Sequence, residues 1–163
     1  MTREKSCCFS GHRALPREER PAVEAALERE IENLICRGVV DFLAGGALGF
    51  DTMAAKAVLR VKEHWPKIRL SLILPCKDQD KNWAHKDKEE YRRLLAYADE
   101  VTILTEHYQE GCMQLRNRYM VDESQYLICY HKSKTGGTAY TVRYAKEKNR
   151  EIINLSKLET GLF

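Results

Sequence analysis

Apolar residues along this chain follow two rhythms that take turns. Short runs of consecutive apolar positions read as strands over 6–9, 39–44, 68–74, 101–104, 126–130 and 151–155. Between them, apolar residues three and four apart read as helices over 17–37, 50–64, 89–98, 113–123 and 138–148. In the first helix Val23, Leu27, Ile31, Leu34 and Ile35 share a face, and Gly38 stops it. In the second, Ala54, Ala57, Val58, Val61 and Trp65 share one. Near-continuous runs such as 70–74 fit strands buried on both faces. The alternation predicts an α/β fold, a Rossmann-like three-layer sandwich with a mostly parallel five- or six-stranded sheet. The stretch 76–88 is polar and irregular, and the tail 156–163 has no clear pattern. With no repeat, low-complexity segment or linker, the 163 residues read as one domain over 1–163.

Composition narrows the function only a little. The net charge of +3, from 27 basic and 24 acidic residues, gives no basic track of the kind nucleic acid demands. No apolar run reaches membrane-spanning length, and the polar start Met1–Lys5 shows no signal peptide, so a cytoplasmic protein is expected with no membrane partner. The six cysteines form no Cys-x-x-Cys pair and no zinc spacing; no metal is expected, and they read as reduced, mostly buried thiols. Cys76, after a strand, and Cys112, in a loop, are the two placed for exposure.

Two glycine pairs bring in chemistry. Gly45-Gly46-Ala47-Leu48-Gly49-Phe50-Asp51 and Thr135-Gly136-Gly137-Thr138 each follow an apolar run, reading as a strand entering a helix through a turn without bulk. Such a turn lets backbone N–H groups approach a ligand, and the helix start adds free donors and partial positive charge. Neither is a G-x-G-x-x-G or P-loop fingerprint. In a parallel sheet, ligands sit at the carboxyl ends of the strands beside the switch in strand order. Ser10, Gly11, His12 and Arg13 follow the first strand, and Arg116-Asn117-Arg118 follows the fourth. In a Rossmann-like order strands one and four would flank the switch, so these two groups would face one crevice between the glycine turns.

Several of these residues keep two readings. Arg13 can grip a phosphate or carboxylate with two donors, or pair with Glu18 or Glu19. His12 can act as a general acid/base or only hydrogen-bond. Asp51 can cap its helix or accept a ribose hydroxyl. Arg116 and Asn117 reach one ligand only near a helix start; otherwise they form a solvated face. Thr138 can cap its helix or donate to a phosphate. Trp83 can stack on a base, close a lid over the crevice or plug the outside of the core, and Asp122 reads as a structural partner of Arg118. Tyr91, Tyr97, Tyr140 and Tyr144 read as helix-packing residues.

The order Ser10-Gly11-His12-Arg13, Gly45–Asp51, Leu74-Pro75-Cys76 with Gln79 and Trp83, Arg116–Asp122 and Gly136-Gly137-Thr138 resembles the YpsA-like branch of the SLOG superfamily. That superfamily includes DprA, the lonely-guy phosphoribohydrolases and molybdenum-cofactor carriers. The resemblance implies a Rossmann-like fold and a nucleotide-derived ligand. Residues Ser10, Gly11, His12, Arg13, Gly45, Gly46, Ala47, Gly49, Asp51, Arg116, Asn117, Gly136, Gly137 and Thr138 would line its site. One departure matters. The phosphoribohydrolase signature carries a catalytic glutamate shortly after its glycines, whereas here no acid follows Thr138 until Glu147, roughly 13 Å along a helix. Binding or sensing of a nucleotide is therefore the leading expectation. A nucleotide hydrolase or transferase using His12 or Asp51 is the alternative, and DprA-type single-strand binding comes third. A homodimer through exposed helix faces is also expected.

Overall fold

The computed structural model describes residues 2–156. Six strands alternate with five helices: β1 (Ser6–Gly11), α1 (Arg20–Cys36), β2 (Asp41–Ala44), α2 (Phe50–Lys62), β3 (Arg69–Cys76), α3 (His85–Tyr97), β4 (Glu100–Thr105), α4 (Cys112–Asp122), β5 (Tyr126–Tyr130), α5 (Gly137–Glu147) and β6 (Glu151–Asn154). All strand pairs are parallel, in the order β4-β3-β2-β1-β5-β6. This is the α/β Rossmann-like sandwich that the alternation predicts.

Helices cover both faces because the central strands are apolar on both. Cys7 and Phe9 of β1 point into one layer with Leu27 and Ile31 of α1 and Ala54 and Val58 of α2. Cys8 points into the other, with Met120 and Val121 of α4 and Val142 and Ala145 of α5. Phe9 stacks on Phe42, and Phe50 on Tyr130, at centroid distances of 6.2 and 6.4 Å. Such pairs add ~0.5–1.5 kcal/mol each beyond burial.

Three expectations change. The switch in strand order lies between β1 and β5, not between strands one and four. β4 pairs with β3 at the sheet edge, where Val101 and Ile103 stay 39% and 46% exposed. The segment after β4 still reaches the centre, because α4 crosses back over β3 and β1. The second helix ends at Lys62, so Trp65 sits in the following turn and is not on the buried face. Cys76 ends β3, Cys112 begins α4, and both are buried. Burial, above all, pushes the Cys76 thiol up to about 11, which disfavours it as a nucleophile. Of the six cysteines only Cys36 is exposed. The tail beyond residue 156 lies outside the described residues.

Candidate functional site

The carboxyl ends of β1, β2 and β5 and the first turns of α4 and α5 enclose a cleft of about 270 Å³. Ser10, Gly11, His12, Arg13, Ala47, Asp51, Arg116, Asn117, Gly136, Gly137 and Thr138 all line it. Met113 and Thr135 line it too. They gave no signal in the sequence, where a methionine early in a helix reads as core and Thr135 only as part of a turn.

Gly45, Gly46 and Gly49 are not brought to the cleft wall. The first glycine turn is compressed inside the protein instead. A Cβ on Gly45 would collide with the Arg116 guanidinium and lie 2.7 Å from Asp51 Oδ2. Gly49 precedes α2 at φ +81°, where a Cβ would meet the Arg13 backbone. The second turn is the opposite case: a Cβ on Gly136 or Gly137 would meet nothing within 4 Å. Its backbone is open to the cleft. The N–H groups of the first turn of α5 have no intrahelical partner, and no side chain caps them.

Arg116 is the most informative group. It is only 3% exposed, at the middle of α4. Nη1 donates to the carbonyls of Gly45 at 2.5 Å and Ile73 at 3.4 Å, and Nε donates to Asn117 Oδ1 at 2.8 Å. Nη2 has no protein acceptor among the described residues, yet it is not sealed from the cleft. Burial pulls Arg116 below its ordinary value, against the attraction of Asp51, but a guanidinium stays charged. Asn117 thus serves to hold Arg116 as well as to line the wall.

Asp51, 6% exposed, lies on the other side of Gly45. It does not cap α2; its Oδ2 accepts the Ala47 N–H at 3.4 Å, back in the glycine turn. Gly45 keeps the carboxylate and the guanidinium apart, and the two form no ion pair. Burial dominates and pushes Asp51 up to about 6, although Arg116 and the N–H groups of Ala47 and Gly45 pull the other way. The group therefore titrates well above the ordinary carboxylate range.

The remaining wall residues divide by partner. Among the described residues no carboxylate pairs with Arg13; Glu19 is taken by Lys132 at 2.6 Å and by the Tyr130 hydroxyl at 2.5 Å. The hydroxyls of Ser10 and Thr138, on residues 7% and 6% exposed, have no protein partner among the described residues and are not sealed off. His12 Nε2 accepts the Lys132 N–H at 3.0 Å, which fixes the neutral ring with its proton on Nδ1. Burial first, then the charges of His131 and Lys132, hold His12 below its ordinary value. Arg118 and Asp122 turn away from the cleft: Arg118 donates to Tyr140 and Asp122 accepts from Tyr144, each at 2.7 Å, tying α4 to α5. Among the described residues no group of His, Cys, Asp and Glu is placed to hold a metal ion.

A parallel sheet with its switch beside β1, and a cleft built from the loops there, defines a Rossmann-like α/β domain. Comparison with known proteins narrows this. A family model described as the YspA SLOG family matches residues 15–159. A UPF0398 protein of Halalkalibacterium halodurans is 33% identical over 132 residues, 79% of this chain and 70% of that one. The UPF0398 protein YpsA of Bacillus subtilis is 31% identical over 132 residues, 79% of this chain and 73% of its own. The chain belongs to the YpsA family of SLOG proteins. Among solved structures, DNA processing protein A (DprA) of Streptococcus pneumoniae matches with a TM-score of 0.66 at 18% identity. That match covers 91% of this chain but only about half (49%) of DprA, and at such identity it speaks for the fold alone.

Proposed function

We propose that the cleft binds a nucleotide-derived small molecule through its phosphate. The observation that carries this is Arg116: a buried cation on the cleft wall with one nitrogen unpartnered among the described residues. A buried cation that keeps an unfilled donor is costly, and an anion that completes its hydrogen bonds removes that cost. The first-turn N–H groups of α5 supply donors and partial positive charge from the opposite wall. The Ser10 and Thr138 hydroxyls add two more donors, and Arg13, without a carboxylate partner among the described residues, adds a second cation to the wall. A ribose hydroxyl reaching Asp51 would occupy the remaining acceptor.

Thermal unfolding against AMP, ATP, NAD, ADP-ribose and cyclic dinucleotides tests the proposal. A ligand at about 100 times its Kd adds ~2.7 kcal/mol to stability. At least one nucleotide is expected to raise Tm in the wild type and not in Arg116→Met. A panel that leaves Tm unmoved, or shifts both proteins alike, overturns it. Binding of single-stranded DNA in place of every nucleotide would do so as well, in favour of the DprA-type reading.

One observation supports a second reading, turnover of the nucleotide. Asp51 lines the cleft and exchanges a proton near pH 6, as a general acid/base must. Glu147 is exposed at the far end of α5 and takes no part. His12 is the weaker candidate, since its Nε2 is already committed to Lys132. Nucleotide turnover lost in Asp51→Asn with binding retained would establish this reading.

A further inference from the structure

We infer that a second chamber, beside the phosphate cradle, takes the aromatic base of the ligand, with Trp83 as its wall; this rests on the proposed phosphate site. The chamber measures about 720 Å³ and lies between the loops that follow β3 and β4. Arg13, Ala47 and Met113 line both it and the cleft, so the two spaces adjoin. A molecule anchored by phosphate at Arg116 and α5 extends past Arg13 into this space.

The lining suits a flat, uncharged, polar-edged ring. Trp83, Met113, Leu48 and Tyr108 supply apolar surface. Trp83 is half-buried and braced edge-to-face against Tyr91, with centroids 5.1 Å apart and planes at 66°. Tyr91 is itself fixed, since Gln79 Nε2 donates to its hydroxyl at 3.2 Å and the ring is buried in the core. The indole is thus held in place by packing and does not depend on a ligand for its orientation. Charged groups in the chamber balance in sign, Asp78 and Asp87 against Lys81 and Arg13, so the chamber does not repeat the cradle's unfilled cationic donors. Asp78 also spans the chamber. Its Oδ1 accepts the Tyr108 N–H at 3.2 Å, joining the loop after β3 to the loop after β4. Desolvation raises Asp78, but hydrogen bonds from Cys76 and from the N–H groups of Asp78 and Tyr108, together with the charge of His107, hold it below its ordinary value, so it stays an acceptor for amino groups on a base edge.

The test compares AMP with ribose 5-phosphate, which shares the phosphate and sugar but lacks the base. Calorimetric titration of the wild type is expected to give AMP at least tenfold tighter binding (~1.4 kcal/mol). Trp83→Ala should erase that ratio and leave ribose 5-phosphate affinity unchanged, which also reports an intact fold. Trp83→Phe should keep most of the ratio, because any aromatic face can stack on a base. In a Trp65→Phe background Trp83 is the sole tryptophan, and its fluorescence should respond to AMP and not to ribose 5-phosphate. Equal affinities in the wild type, or a Trp83→Ala loss shared by both compounds, overturn the base chamber while leaving the phosphate cradle standing. Failure of both compounds to bind the wild type brings down the cradle and this inference together.

Discussion

Replacing Asp51 by asparagine should change how stability varies with pH, and the sign of the change is diagnostic. The carboxyl moves from an ordinary value of 3.8 to about 6 on folding, chiefly through burial. At 1.36 kcal/mol per tenfold change in proton affinity, this amounts to ~3 kcal/mol. The folded state holds the proton more tightly than the unfolded chain, so between pH 4 and 6 it binds more protons. Stability contributed by Asp51 is therefore present below pH 4 and falls as pH rises, with the full cost reached above pH 6. The amide of the Asp51→Asn variant carries no proton to lose. Urea unfolding of both proteins at pH 4, 5, 6 and 7 cancels the other titrating groups in the difference. Wild type should lose about 2–2.5 kcal/mol of that relative to Asp51→Asn between pH 4 and 7, the remainder falling below pH 4. A flat difference, or wild type gaining as pH rises, would refute the reasoning. The latter would mean that Arg116 stabilises the carboxylate more than burial penalises it, and that Gly45 does not separate the two.

Other consequences follow from the same geometry. Gly45→Ala forces a methyl between Arg116 and Asp51 and should lower stability by about 1–3 kcal/mol in denaturant titration. Gly137→Ala meets nothing within 4 Å and should leave unfolding within about 0.5 kcal/mol of wild type, showing that the two glycine turns differ in kind. The His12 ring should titrate below its ordinary 6.5 in an NMR pH series, since burial first, and then the charges of His131 and Lys132, disfavour its charged form; protonation also breaks its acceptance of the Lys132 N–H. The contribution of that bond is present at neutral pH and is lost as pH falls; a midpoint above 6.5 would contradict the assigned tautomer.

Much of the architecture was legible because parallel strands covered on both faces leave unbroken apolar runs, and 126–130 matches β5 residue for residue. Strand order was less so. Glu100–Thr105 reads much the same at a sheet edge as beside β1, and only the long return of α4 decides it. The cleft's polar residues were legible as a set, because in a parallel sheet the loops after the strands converge on one edge. What each residue does there was not. Gly45 and Gly137 look alike in sequence, but what a Cβ would strike depends on side chains from distant elements, Arg116 from α4 and Asp51 from α2. Arg116 itself kept a second reading as a solvated helix residue; its burial follows from α4 crossing back over β3 and β1, a tertiary fact. Trp65 fits the helical spacing of α2, yet the helix stops three residues short of it.

The most direct test of the account is a crystal structure grown with AMP. The phosphate is expected within hydrogen-bond reach of Arg116 Nη2 and the first-turn N–H groups of α5. A phosphate bound elsewhere, or a cleft that stays empty at saturating AMP while Arg116 Nη2 finds a protein acceptor, would contradict it.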